Sequence, residues 1–123
     1  FNQALAAEYL AGNYLDSHLP KILRIYKPRQ AAMFKSIQEK LPEDFTCSPS
    51  DGGMFLWVTG PKGFDIIRLY HKAIENKVAF VPGKFFYTNQ EEGMETMRLN
   101  YTMTDEKTIE TAIGKLADTI ASL

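Results

Sequence analysis

The chain has 123 residues, enough for one compact domain and too few for two ordinary ones. Lys and Arg total 14 against 15 Asp and Glu, a formal net charge of −1, which argues against the clustered basic surplus of a nucleic-acid-binding face. With 45% hydrophobic and 24% charged residues the composition is that of a folded domain, and no apolar run reaches the roughly 18 residues of a membrane span. Cys47 stands alone and cannot close an internal disulfide, and no signal-peptide pattern opens the chain, so a reducing cytoplasm is the expected setting. The first residue is Phe1, already inside a helical pattern, and a piece of a longer protein is therefore expected.

Phe1, Leu5 and Tyr9 recur four apart and predict a short amphipathic helix over Phe1–Leu10, stopped by Gly12-Asn13. A second helix is expected to begin at Asp16 or Ser17, with Pro20 in its first turn, where a missing N–H costs little. Its apolar stripe runs from Leu19, Ile22, Leu23 and Tyr26 to Met33, Phe34, Ile37 and Leu41, with Lys21, Lys27, Arg29 and Lys35 on a solvated basic face. Pro28 interrupts this pattern and predicts a kink. Leu41-Pro42 ends it.

The periodicity then changes. Phe45-Thr46-Cys47 reads as a short strand, and Pro49 to Gly53 as a turn. Met54-Phe55-Leu56-Trp57-Val58 is a continuous apolar run, consistent with a strand covered on both faces. Asp65 is placed to cap a helix whose buried side is Ile66, Ile67, Tyr70, Ala73 and Ile74. Val78 to Val81 predicts another buried strand, closed by Pro82-Gly83, and Glu91 to Glu95 a polar connection. Thr96 to Met103 alternates, with Met97, Leu99, Tyr101 and Met103 on one face and Arg98, Asn100 and Thr102 on the other. A last helix follows Asp105 and Glu106 and repeats Ile109, Ile113, Leu116, Ile120 and Leu123. The order α-α-β-β-α-β-β-α predicts an α+β, two-layer domain: a small mixed or antiparallel sheet of three to four strands flanked by helices.

Few residues suggest chemistry. Arg98 is a cation on the polar face of an alternating strand. It either grips a ligand carboxylate through its planar fork or pairs with a neighbouring acid. Gly52-Gly53 either brings backbone close to a ligand or makes a tight turn. Gly83-Lys84 lacks the earlier glycine and the Ser or Thr of a phosphate loop, leaving a turn with Phe85 and Phe86 packed beside it. His18 and His71 stand alone, so no metal site is expected, and Cys47 reads as a small buried residue.

Three runs, Asp51-Gly52-Gly53-Met54-Phe55-Leu56-Trp57-Val58, Val78-Ala79-Phe80-Val81-Pro82-Gly83 and Met97-Arg98-Leu99-Asn100-Tyr101, resemble in order and spacing the C-terminal part of class I/II aminotransferases. These are pyridoxal-phosphate enzymes of fold type I. The resemblance is nearest to the 2-aminoadipate, kynurenine and multi-substrate branch, and extends to the aminotransferase-like half of MocR-type regulators. His18-Leu19 through Tyr26 to Arg29 is similar to the family's interdomain helix. The resemblance implies that residues 1–123 form the C-terminal small domain, with 1–41 including that helix. It also implies that Arg98 binds the substrate α-carboxylate. Gly53 and Pro82-Gly83 match segments near the family's active-site mouth, with no role assigned.

The family's Schiff-base lysine, in a Ser-x-x-Lys-like segment, has no counterpart among the ten lysines here, and Lys84 belongs to another segment. The Asp that pairs with the pyridinium nitrogen and the phosphate-binding residues also have no counterpart. The implied protein is a fragment of an aminotransferase that moves an amino group between an amino acid and a 2-oxo acid. Its parent uses pyridoxal phosphate and forms a homodimer. The fragment's implied partners are the substrate and the large cofactor-binding domain, with neither nucleic acid nor membrane. No catalytic, cofactor-binding or metal residue, no bound cofactor and no transaminase activity are expected of the fragment itself. The alternative is the ligand-sensing domain of a MocR-type regulator.

Overall fold

A computed structural model describes residues 1–123. The elements follow the expected order: α1 (Asn2–Ala11), α2 (Tyr14–Lys40), β1 (Thr46–Cys47), β2 (Phe55–Thr59), α3 (Ile66–Glu75), β3 (Val81–Pro82), β4 (Thr96–Asn100) and α4 (Glu106–Ala121). Two 3-10 turns, Gly83–Phe86 and Gln90–Gly93, lie between β3 and β4. The strands form one antiparallel sheet in the order β1-β2-β4-β3, and no helix is long and apolar enough to cross a membrane.

Alternation along the two central strands decides which side of the sheet is dry. Leu56 pairs with Leu99 and Val58 with Met97, and all four are buried in the core. Met33 and Ile37 of α2, Ile66, Leu69 and Ala73 of α3, and Ile109, Ile113, Leu116 and Ile120 of α4 complete that core. The intervening pair, Trp57 and Arg98, faces the opposite side. β2 is therefore not covered equally on both faces: Phe55 and Trp57 are only half-buried, and the apolar run hides a period of two.

Helix boundaries follow their caps. Asp65 accepts hydrogen bonds from the Ile67 and Arg68 amides at 3.1 and 3.0 Å, and Asp105 accepts one from Thr108 at 2.8 Å. The Thr108 bonds hold the Asp105 carboxyl below its ordinary range. In α3 Leu69 takes a core position, while Ile74 turns outward.

α2 departs most from expectation. Its cap is Asn13, in the left-handed region at φ 58°, three to four residues before the expected cap at Asp16 or Ser17. Pro20 thus lies in the second turn and Pro28 deep inside, yet the helix continues through both as one element. Both prolines and the residues whose carbonyls lose a donor, Asp16 and Arg24, are exposed, so water can satisfy those oxygens. Burial begins only near Met33. Arg29 is not on a fully solvated face, for its Nη1 donates to the Thr102 carbonyl at 2.7 Å. α1 forms as expected but buries nothing; it meets α2 through stacked Tyr9 and Tyr14 rings 5.6 Å apart.

The later strands are shorter than predicted. β3 holds only Val81 and Pro82: the strand expected over Val78–Val81 loses its first three residues and takes in the proline expected to close it, Val81 is exposed rather than buried, and a 3-10 turn starts at Gly83. Glu91 to Glu95 is not wholly irregular, since a second 3-10 turn includes Glu91 and Glu92. β4 stops at Asn100, whose Oδ1 accepts from the Thr102 amide at 2.7 Å and the Thr102 hydroxyl at 2.9 Å. That turn releases Met103 to solvent at 85% exposure, so it does not continue the buried face. Tyr101 remains buried, and its hydroxyl donates to the Gly53 carbonyl at 2.6 Å. Burial pushes its phenol above the ordinary range, with the neighbouring Tyr26 adding to the effect. Tyr101→Phe is expected to cost about 1–2 kcal/mol, the scale of one buried hydrogen bond, read as a lower urea midpoint at unchanged m.

Candidate functional site

The open face of the sheet carries a built cation. Arg98, at the middle of β4, has Trp57 as its β2 partner and Val81 as its β3 partner. The guanidinium carbon lies over the Phe55 ring at 3.9 Å and over the Phe86 ring at 4.4 Å. Phe55 is diagonal to Arg98 across the ladder, within reach of a long side chain. Phe86 arrives from the first 3-10 turn and meets the edge of Trp57 at 5.8 Å, with Tyr87 at 6.1 Å from the same indole.

Two features describe the surroundings of this arginine. Its Nε is buried without a hydrogen-bond partner. The chain's ion pairs are Lys35–Glu39 and Lys72–Glu75, both exposed, and Arg98 belongs to neither. Of the two alternatives read from sequence, pairing with a neighbouring acid is thus not what the fold adopts. An aromatic surround lowers the local dielectric and makes a charge-assisted bond from the free edge of the fork stronger than it would be in water.

Gly83 ties the turn to the sheet. It is buried, and a Cβ there would collide with the Thr96 hydroxyl and lie 2.7 Å from Thr96 Cβ and 2.9 Å from the Trp57 ring. Thr96 itself donates to the Gly93 carbonyl at 2.8 Å, joining both 3-10 turns to β4.

The other candidates lie apart from this face or are structural. Gly53 sits at φ +84° in the turn before β2 and supplies its carbonyl to Tyr101, which favours the turn reading. Lys84 is half-buried, with Nζ 5.3 Å from the Phe85 ring centroid. Phe85 and Phe86 are 59% and 49% exposed; Phe86 packs beside the turn as expected, against Trp57 and Arg98. His18 and His71 are exposed, and no group of three or more His, Cys, Asp or Glu side chains could hold a metal ion. Cys47 is half-buried rather than buried, and desolvation pushes its thiol from 9.0 up to about 11. Sequence reasoning missed Phe55, Trp57 and Phe86 as parts of the site. For the first two, the i, i+2 spacing on one strand was the available signal.

Comparison with known proteins places these features in a family. The aminotransferase class I and II family profile matches residues 1–116. Aromatic-amino-acid aminotransferase 1 of Thermococcus litoralis is 42% identical over 120 residues, covering 98% of this chain and 28% of that protein. The 2-aminoadipate transaminase of Thermus thermophilus is 32% identical over 122 residues, 99% of this chain and 30% of that one. The crystal structure of the multiple substrate aminotransferase of Thermococcus profundus superposes with a TM-score of 0.89 at 41% identity, covering 99% of this chain and 30% of that chain. Weaker matches, at 28% identity or below, fall on proteins described as HTH-type transcriptional or catabolism regulators. The chain spans about 28–30% of the length of the aminotransferases it matches.

Because folding suppresses the Cys47 thiolate, alkylation by iodoacetamide at pH 8.5 should be at least about tenfold slower in the folded chain than in urea. The same shift has a sign for stability. The folded pKa is the higher one, so the Cys47 contribution is present below about pH 9 and is lost as the pH rises toward 11. The family match over residues 1–116, together with the 42% identical relative and the superposition of the antiparallel sheet and its helices at a TM-score of 0.89, leads to one conclusion: the chain belongs to the class I and II aminotransferase family.

Proposed function

We propose that residues 1–123 are the C-terminal small domain of a pyridoxal-phosphate-dependent aminotransferase, with the interdomain helix inside residues 1–41, and that Arg98 binds the substrate α-carboxylate. The observation that carries this reading is the guanidinium seated over Phe55 and Phe86 with no acid beside it. Every amino acid and every 2-oxo acid brings the carboxylate such a group lacks. A fork fixed on a strand holds that carboxylate in one orientation, which sets the direction of the Cα substituents toward the reacting centre. Phe55 and Phe86 exclude water from one side of the pair and strengthen it.

Pyridoxal phosphate, when bound, would supply an electron sink and would need a lysine to hold it. The residues of this chain do not fit that group. Nine of the ten lysines are exposed, and Lys84, the half-buried one, extends over Phe85. We assign the cofactor and its lysine to the remainder of the protein, a large domain that completes the site. The exposed apolar row of Phe1, Leu5, Leu10, Tyr14, Leu19 and Leu23 supports contact with that domain. The full protein is read as a cytoplasmic homodimer.

A second reading, the ligand-sensing domain of a MocR-type regulator, draws on the weaker regulator matches. Both readings use Arg98 in the same way. A DNA mobility shift by the full-length protein would favour the regulator; turnover of an amino acid without DNA binding favours the enzyme.

In the full-length protein, assayed with L-phenylalanine as donor and 2-oxoglutarate as acceptor, Arg98→Ala should lower kcat/KM by about 2–4 kcal/mol. Unchanged kinetics would refute the assignment of Arg98. The 123-residue chain mixed with pyridoxal phosphate and dialysed should retain no visible band of a lysine-bound cofactor and show no transamination; a retained stoichiometric band would overturn the placement of the cofactor outside it.

A further inference from the structure

A guanidinium is flat and can swing about four side-chain torsions, so a strand arginine left to itself samples many directions for its fork. Here two aromatic rings restrict it. Phe55 belongs to the neighbouring strand, and its place relative to Arg98 is set by the β2–β4 register. Phe86 has no such register. Its ring, 49% exposed, reaches Arg98 only because the 3-10 turn Gly83–Phe86 is pressed onto the sheet at Gly83 and Thr96, and because the Trp57 indole meets it at 74°. The ring could occupy solvent, yet it lies 4.4 Å from the guanidinium carbon. Nε is buried and makes no hydrogen bond, so the terminal Nη groups are the donors left to meet a ligand.

We propose that Phe86 is a positioning residue for Arg98: its ring fixes the guanidinium so that the two terminal nitrogens receive a carboxylate end-on, with Nε withheld. The proposal rests on the reading of Arg98 as the carboxylate-binding residue. It assigns Phe86 no contact with the reacting atoms. The selectivity it creates is for planar anions that accept two parallel hydrogen bonds, against anions that approach from the Nε side.

Steady-state kinetics on the full-length protein, with L-phenylalanine and 2-oxoglutarate, provide the test. Phe86→Leu keeps apolar bulk and removes the ring; Phe86→Tyr keeps the ring. Phe86→Leu should raise KM for both substrates by about 3- to 30-fold, the range of a partly desolvated cation–π contact, with kcat changed less than about twofold. Phe86→Tyr should restore KM. The double variant Arg98→Ala/Phe86→Leu should be no worse than Arg98→Ala alone, because a residue acting through the arginine has nothing left to act on. Thermal unfolding of each variant verifies that it is folded, and Phe86→Met replaces Phe86→Leu if the latter is not.

Unchanged KM in the ring-less variant, a loss that adds fully to that of Arg98→Ala, or failure of Phe86→Tyr to restore KM would each overturn the role of Phe86 while leaving Arg98 assigned. If Arg98→Ala itself leaves KM unchanged, the carboxylate reading fails first, and the positioning role falls with it.

Discussion

The pairing of β2 with β4 sets almost everything else. Leu56 faces Leu99 and Val58 faces Met97 on the dry side, and the parity of the ladder then leaves Trp57 and Arg98 on the other. A slip of one residue would drive the arginine into a core of Leu, Ile and Met and expose four apolar side chains. Burial of the dry face therefore holds the register, and the register delivers a cation to the open face with aromatic neighbours already beside it. Stability and chemistry share one constraint here, applied to alternate residues of the same strands.

Much of this is legible before any coordinates. The alternation from Thr96 to Tyr101, the aspartates ahead of α3 and α4, and the spacing of Ile109, Ile113, Leu116 and Ile120 all depend on local rules, and the fold obeys them. The errors fall where a longer-range condition overrides the local one. Met54 to Val58 reads as uniformly apolar because Phe55 and Trp57 are apolar for a different reason: Phe55 lies over a charge and Trp57 backs Phe86, which lies over it too. Asn100 ends β4 early by capturing Thr102, an option that alternation alone does not reveal. Helix α2 passes two prolines because their orphaned carbonyl partners are exposed, a fact about burial that sequence pattern does not contain.

The site divides in the same way. Arg98 stands out as a charge on a patterned strand, and the family resemblance names its partner chemistry. Phe86 is far from it in sequence, and its approach depends on a turn held by a glycine with no room for a side chain. No periodicity connects residues 83–86 to residue 98. The β3–β4 pairing at Val81 and Pro82, with Gly83 pressed against Thr96, carries the turn across to the arginine.

The Arg29–Thr102 hydrogen bond joins α2 to the chain four residues beyond Arg98. Helix α2 is packed into the core from Met33 onward, whereas the portion from Tyr14 to Arg29, about 22 Å long at 1.5 Å per residue, stands largely clear of it. The geometry is that of a lever with a long free arm, a fulcrum in the core, and a load point at the Thr102 carbonyl. With the fulcrum at Met33, a tilt of about 10° would carry the Tyr14 end, about 28 Å away, through about 5 Å and the Arg29 clasp, about 6 Å away, through about 1 Å. A displacement at the free end therefore reaches the Arg29–Thr102 clasp, beside β4, about fivefold reduced.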